Sequence, residues 1–394
     1  MTLSHFGKLY ILVVCCILLT FASVSAQKKP EVKRPDIKGD TVVIHNRLPA
    51  ARQKLANQIA DIAKQHIHMP PLPFTYSDDR YLNTTADKLQ QLLKGKIVLI
   101  DIWDYTCVNC IRTLPYLEGW YERYKDKGLV IIGVHSPEFT FEKDPGNLDS
   151  AVKRFGITYP VIADNDLEIW QSLANKYWPA KYLFDTSGVL RAEHFGEGDY
   201  QAFEAFIQKM LLDRDTNIDL PEPIAPIRET DKPGAVCRRI TPETYVGYAQ
   251  SHVGNPTGED EEEQHTYHAP EKLQPDVLYL DGRWEAHAEY VNPAGGVANL
   301  LLNYEAKEVN LVIHPLQATG FKVWVEQDGK PVLPADRGTD VQETGGRTFV
   351  YVDTPRMYNL INNTKFDRRT LKVSSDSPSF GAYAFTFGSA CDTQ

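Results

Sequence analysis

The chain has 394 residues, of which 42% are hydrophobic and 11% aromatic, and it carries a formal net charge of -10. That length exceeds one typical core and divides into two domains with a leader and an N-terminal extension. The composition excludes a disordered or wholly membrane-embedded chain, and the absence of any basic stripe excludes nucleic acid as a partner.

Residues 1–26 read as a signal peptide: Lys8 precedes the apolar stretch Leu9 to Phe21, and Val24-Ser25-Ala26 supplies a small-residue ending. Export follows. The apolar stretch approaches spanning length, roughly 17 residues, so an uncleaved membrane anchor is the competing reading. Cys15 and Cys16 lie inside it as apolar filler. Residues 27–73 form an extension. Its first part is rich in Lys and Pro, and its second repeats Leu55, Ile59, Ile62, Ala63 and Ile67 at helical spacing. One amphipathic helix is expected, stopped by Met69-Pro70-Pro71-Leu72-Pro73.

Between residues 74 and 215 strand and helix patterns alternate. Strands are expected at 97–103, 129–135, 160–163, 181–185 and 189–195, and helices at 107–125, 148–155, 168–176 and 200–212. Asp185-Thr186-Ser187-Gly188 joins the last two strands as a hairpin turn. The order, with a terminal hairpin and a closing helix, is that of a thioredoxin-like α/β fold. A linker is expected at 216–235, where Pro221, Pro223, Pro226 and Pro233-Gly234 disfavour both helix and sheet. From 236 to 394 short runs rich in β-branched and aromatic residues recur, among them 296–304, 308–313, 357–362 and 369–374. They predict an all-β sandwich.

The most informative segment joins the first strand to the helix after it: an apolar run ending at Trp103 leads into Cys107-Val108-Asn109-Cys110. A thiol at a helix start meets unpaired N–H groups and the positive end of the helix dipole, which favour a thiolate. A zinc site would need two further ligands at matched spacing, and the sequence offers none, so no metal is expected. The pair reads as a redox-active disulfide needing no other cofactor, with Cys107 attacking and Cys110 resolving. Asp101 sits in the apolar strand before them. Burial would raise its pKa into a range useful for proton exchange with Cys110; the alternative is an Asp at a strand edge bonded to backbone. The two remaining cysteines, Cys237 and Cys391, bracket the C-terminal region and are either a structural disulfide or two buried thiols.

Beyond the dithiol, the runs Trp103-Asp-Tyr-Thr-Cys107-Val-Asn-Cys110-Ile-Arg-Thr-Leu-Pro115, Ile132-Gly-Val-His135-Ser-Pro-Glu138-Phe, Tyr177-Trp-Pro179-Ala-Lys-Tyr and His194-Phe-Gly-Glu-Gly198 resemble the extracytoplasmic region of DipZ-type thiol-disulfide proteins. Those belong with the TlpA/ResA-like thioredoxins. Thr241-Pro-Glu-Thr-Tyr-Val-Gly247 and Tyr383-Ala-Phe-Thr-Phe-Gly388 resemble that family's second domain, which implies a jelly-roll sandwich similar to a carbohydrate-binding module. The resemblance implies a protein-disulfide oxidoreductase acting on protein thiols and disulfides, with Asp101 at the buried acid position and Pro179 as a cis-proline facing the dithiol. Trp103, Trp178, His135 and Glu138 become candidates for the substrate groove. DipZ proteins carry a membrane electron-transfer domain ahead of this region, so the resemblance implies a separate membrane donor of the CcdA/DsbD type. The Val-Asn dipeptide between the cysteines prevents borrowing a redox potential from thioredoxin.

Trp284, His287, Tyr290 and Trp324 invite a sugar-stacking reading, with a glycan or envelope ligand for the second domain, against the ordinary use of aromatics as sandwich core. The acidic run Glu259 to Glu263 lacks the alternating spacing of a calcium loop and reads as solvated. A thiol peroxidase is a further alternative, weakened because no proline stands ahead of Thr106-Cys107.

Overall fold

The structure, a computed structural model, describes residues 67–251, 253–255, 264–317 and 319–392. The expected leader, most of the expected amphipathic helix and the acidic run lie outside the described residues.

The first half is built from β1 (Tyr81–Leu82), α1 (Ala86–Leu92), β2 (Ile97–Trp103), α2 (Val108–Tyr124), β3 (Leu129–His135), α3 (Pro145–Phe155), β4 (Val161–Ala163), α4 (Glu168–Ser172), β5 (Ala180–Phe184), β6 (Leu190–Phe195) and α5 (Tyr200–Arg214). Its six strands take the order β1-β4-β3-β2-β5-β6. β2, β3 and β4 run parallel, whereas β5 and β6 return antiparallel on the far side of β2. β2 and β3 are buried on both faces, which explains why they read as unbroken apolar runs. The pleat divides β2 cleanly: Ile97, Leu99 and Trp103 enter one core with Trp120 and Phe203, while Val98, Ile100 and Ile102 enter the other. By the same parity Asp101 points to the face covered by α2. Pro115 stands inside α2, where it leaves the Ile111 carbonyl without its helical partner.

Residues 216–235 run along this domain, broken by one tight helical turn at Glu229–Asp231. The Tyr116 hydroxyl donates to Asp231 at 2.7 Å and accepts from Ile227 N at 2.7 Å, and Ile224 N donates to Glu204 at 2.7 Å. Ile224 packs closely over Gly119 of α2, where a Cβ would lie 2.5 Å from the terminal methyl of Ile224 and oblige that side chain to move.

The second half comprises β7 (Val236–Cys237), β8 (Thr244–Tyr245), β9 (Gln264–Tyr267), β10 (Leu278–Ala286), β11 (Val291–Pro293), β12 (Ala298–Pro315), β13 (Phe321–Gln327), β14 (Lys330–Pro331), β15 (Val341–Thr344), β16 (Arg347–Val352), β17 (Arg356–Ser375), β18 (Phe380–Gly388) and β19 (Cys391–Asp392). Eleven of these strands form one antiparallel hydrogen-bonded network around a core that includes Trp284, Tyr304, Tyr358 and Phe385. β7 pairs apart with β19, placing Cys237 opposite Cys391, and the two are disulfide-bonded.

Where four short strands were expected there are two long ones, β12 of 18 residues and β17 of 20. The polar stretch between the expected pieces stays extended because the strands pair through it, Glu305 opposite Arg368 with their side chains joined at 2.8 Å. Register shifts lie between Ala306 and Glu308 and between Val309 and Asn310; β12 pairs with β10 before them, over Asn299–Leu302, and with β18 from Glu308 onward.

Candidate active site

The two thiols sit at the carboxyl end of β2. Cys107 is the N-cap of α2, and its Sγ accepts from Cys110 N at 3.3 Å. The Sγ atoms are 2.7 Å apart. Cys107 is partly exposed and Cys110 is buried, so only the first is open to a docking disulfide. The loop entering the helix is fixed by Asp104, whose Oδ1 accepts from Thr106 N at 2.6 Å and Cys107 N at 3.2 Å. The Asp carboxylate thus holds the backbone donors at the helix mouth.

Burial and neighbouring carboxylates, Asp104 and Glu138, push the Cys107 thiol up, against the hydrogen bonds from Cys110 that favour a thiolate. Burial thus opposes the thiolate that the helix start favours. Cys110 is pushed up further, first by burial and then by its bond to Cys107.

Asp101 is 1% exposed, and neither carboxyl oxygen has a hydrogen-bond partner among the described residues. Burial raises it to about 7, partly offset by Lys181, which lies directly across on β5 and is itself buried. Lys181 donates to the Gly196 carbonyl at 3.4 Å, and burial holds its pKa down. This lysine was missed at the sequence level. Its signal was the one that marked Asp101, a charged residue in an apolar strand.

Trp178-Pro179 is cis, and Pro179 is buried. Trp178 is half-buried; its indole donates to the Ser136 carbonyl at 2.9 Å and its ring lies 4.2 Å from that of Trp170. Trp103 and His135 are 0% exposed. They shape the site from beneath and offer no face to a docked chain, which corrects their reading as groove residues. His135 stacks on Tyr105 at 5.2 Å with its Nε2 3.5 Å from Asp104.

A buried acid pair completes the floor. Thr106 Oγ1 lies 2.9 Å from Asp104 Oδ1 and 2.6 Å from Glu142 Oε1, yet a hydroxyl has one hydrogen to give. Glu142, 0% exposed and pushed well up by burial and by the Asp104 charge, keeps its proton and donates it toward that cluster. Asp104 is correspondingly held down to about 2 by His135, Glu142 and Thr106 despite its burial. Glu142 Oε2 meanwhile accepts from the backbone of Glu138 and Phe139 at 2.8 and 2.7 Å. Asp104 and Glu142 carried no isolated signal in the sequence, because they meet only in the fold.

The second domain packs against this site. Arg112, two residues past Cys110, donates to Glu308 at 2.7 Å, Thr140 is held by Glu289 at 2.9 and 2.8 Å, and Tyr245 donates to Glu138. Tyr383 lies edge-on to Phe139 and Phe141, and Val312, Tyr383 and Ala384 belong to the first domain's core. The proposed sugar-stacking aromatics do not converge. Trp284 is 0% exposed, Tyr290 stacks on His287 and Tyr383, and Trp324 is capped by the Arg347 guanidinium at 3.7 Å.

Among the described residues no group of three His, Cys, Asp or Glu is placed to hold a metal ion, and no helix is long and apolar enough to cross a membrane.

These features define a thioredoxin-like domain carrying a helix-start dithiol. Residues 74–193 match the AhpC/TSA family and residues 241–388 match the family described as thioredoxin like C-terminal domain. The first half therefore has a thioredoxin-like α/β fold, similar over residues 74–193 to the AhpC/TSA family. The chain is 35% identical over 310 residues to protein DipZ of Mycobacterium bovis and of Mycobacterium tuberculosis, a match covering 78% of this chain and 41% of DipZ. It is 28% identical over 143 residues to thiol-disulfide oxidoreductase YkuV of Bacillus subtilis, covering 36% of this chain and 95% of YkuV. The match thus spans less than half the length of DipZ and nearly all of YkuV.

Proposed function

We propose that the protein is a thiol-disulfide oxidoreductase that exchanges disulfides with protein substrates through Cys107 and Cys110. The observation carrying this reading is the pair of sulfurs 2.7 Å apart at the start of α2, one accessible and one buried. The named similarity to YkuV supports it.

In the reducing direction the Cys107 thiolate attacks one sulfur of a substrate disulfide. A Cys107–substrate disulfide forms and the other substrate sulfur leaves as a thiolate, which takes up a proton. Cys110 then loses its proton to Asp101, attacks Cys107 Sγ and expels the second substrate sulfur. The products are the Cys107–Cys110 disulfide and a reduced substrate; two electrons have moved to the substrate. A carboxyl near neutrality suits this role, because it is partly ionised when Cys110 must give up its proton. Pro179 and Trp178 border the place where the substrate chain would lie.

We further read residues 1–26 as a leader for export with 27–73 as an extension, 74–215 as the redox domain, 216–235 as a linker and 236–394 as a jelly-roll sandwich. An uncleaved anchor is the competing reading of the leader. An exported dithiol needs a source of electrons, which a membrane donor of the CcdA/DsbD type would supply, and cytochrome c maturation and envelope disulfide repair both fit such a chain.

The test is reduction of insulin disulfides by the full chain with dithiothreitol as electron source. Cys107→Ser abolishes turnover, and Cys110→Ser accumulates a mixed disulfide that a reducing gel resolves. Turnover surviving in Cys107→Ser removes the proposal.

A further inference from the structure

One strand of the second domain reaches the dithiol loop. β8 is paired to β18, Tyr245 opposite Ala384, and this anchors the Tyr245 phenol, which donates to Glu138 Oε1. Glu243 Oε2 lies 3.4 Å from the same phenol oxygen. A phenol has one hydrogen, so it serves one of the two carboxyl groups at a time. Glu138 N donates to Asp104 Oδ2 at 3.3 Å, and Asp104 Oδ1 accepts from Cys107 N at 3.2 Å. The Glu138 residue therefore stands two hydrogen bonds from the attacking residue.

The surroundings of this carboxyl are one-sided in charge. Acting on it are Asp104 from the loop after β2, Cys107 from the helix start, and Tyr245 with Glu243 from the second domain, while Glu142 accepts from the Glu138 backbone N–H and His135 stands behind Asp104. Among the described residues, neither Glu138 nor Glu243 meets a Lys or Arg. Other carboxylates along the boundary do: Glu308 has Arg112, Glu197 has Arg112 and Arg228, and Asp231 has Arg228.

We propose that Glu138, held by Tyr245 of the second domain, is a positioning residue that sets the ionisation of the Cys107 sulfur, as Asp101 is proposed to serve Cys110. The proposal deepens the oxidoreductase reading and rests on it. While Glu138 keeps its proton, the sulfur is opposed mainly by Asp104; once Glu138 ionises, a second negative charge opposes the thiolate. Burial and the Glu243 charge push Glu138 up to about 8, while its bond from Tyr245 favours the ionised form. The two ionisations therefore work against each other, and the second domain controls the balance through one phenol.

The test uses the full chain with Cys110→Ser, so that Cys107 is the reacting thiol, and follows its alkylation by iodoacetamide from about pH 6 to about pH 10. The parent gives a profile broader than a single ionisation. Glu138→Gln narrows it and lowers its midpoint by about one pH unit, as expected for loss of one nearby like charge. Tyr245→Phe, which keeps the ring packing but removes the bond, moves the midpoint the same way by less, because Glu138 then stays protonated to higher pH. Insulin reduction by the two-cysteine forms is measured alongside. If exchange proceeds but both variants superimpose on the parent alkylation profile, the proposal is overturned; if the parent fails to exchange at all, the functional reading falls instead.

Discussion

At the residue scale the site separates two protons. Asp101 is buried without a hydrogen-bond partner and held near neutrality, so its ionisation is costly to the fold. Its pKa is raised from 3.8 to about 7, so the native state binds more protons than the unfolded state between those values. Stability contributed by this group is complete below the unfolded value and declines as pH rises, reaching its full loss above about 7. Asp101→Asn should therefore stabilise the protein at pH 8 by up to ~4 kcal/mol while changing little at about pH 4, measured by urea unfolding at both. The same variant should slow the resolving step by about 100-fold in single-turnover mixing. Equal stability gains at both pH values would mean that burial does not set this carboxyl.

The residues recognisable in the sequence were those whose neighbours in the chain betrayed them: an Asp in an apolar strand, two cysteines at a helix start, a proline before a strand. Glu142 and Tyr245 were missed because their roles come from partners 36 or 107 positions away, as in Thr106 with Glu142 and Tyr245 with Glu138. Periodicity says nothing of such meetings.

At the element scale, β2 and β3 were read with their observed ends, because strands buried on both faces stand out as apolar runs. The second half was harder. Its long strands carry polar stretches that look like loops, and only pairing with a neighbour keeps them extended. The turn that carries Glu289 depends on a close backbone approach: a Cβ on Gly247 would lie 2.2 Å from the Glu289 carbonyl carbon. Backbone cannot yield as a flexible side chain does, so Gly247→Ala should lower stability by about 2 kcal/mol or more, read as a fall in Tm. It should also weaken the bonds from Thr140 to Glu289 and with them the seating of β8 beside Glu138. An unchanged Tm would show that this turn relaxes freely.

At the scale of the whole molecule the two halves share a core, since Tyr383 and Val312 of the second domain are packed with Phe139 and Phe141 of the first. Phe141 is 8% exposed and meets Tyr383, His314 and Tyr105. Phe141→Ala should cost about 3 kcal/mol and make the halves unfold separately in calorimetry, where the parent should give one transition. The Cys237–Cys391 bond closes the second half across a separation of 154 residues. By the loop-entropy account its removal should cost on the order of 5 kcal/mol, seen as a lower Tm for the Cys237→Ser, Cys391→Ser double variant.

The central claim is that Cys107 and Cys110 are a reversible two-electron couple. It is tested most directly by equilibrating the Cys237→Ser, Cys391→Ser chain with glutathione buffers of graded ratio, then alkylating the free thiols and weighing the products. The account predicts that both cysteines pass together from alkylated to protected along a single two-electron curve. Thiols alkylated independently of one another, or unaffected by the buffer ratio, would contradict it.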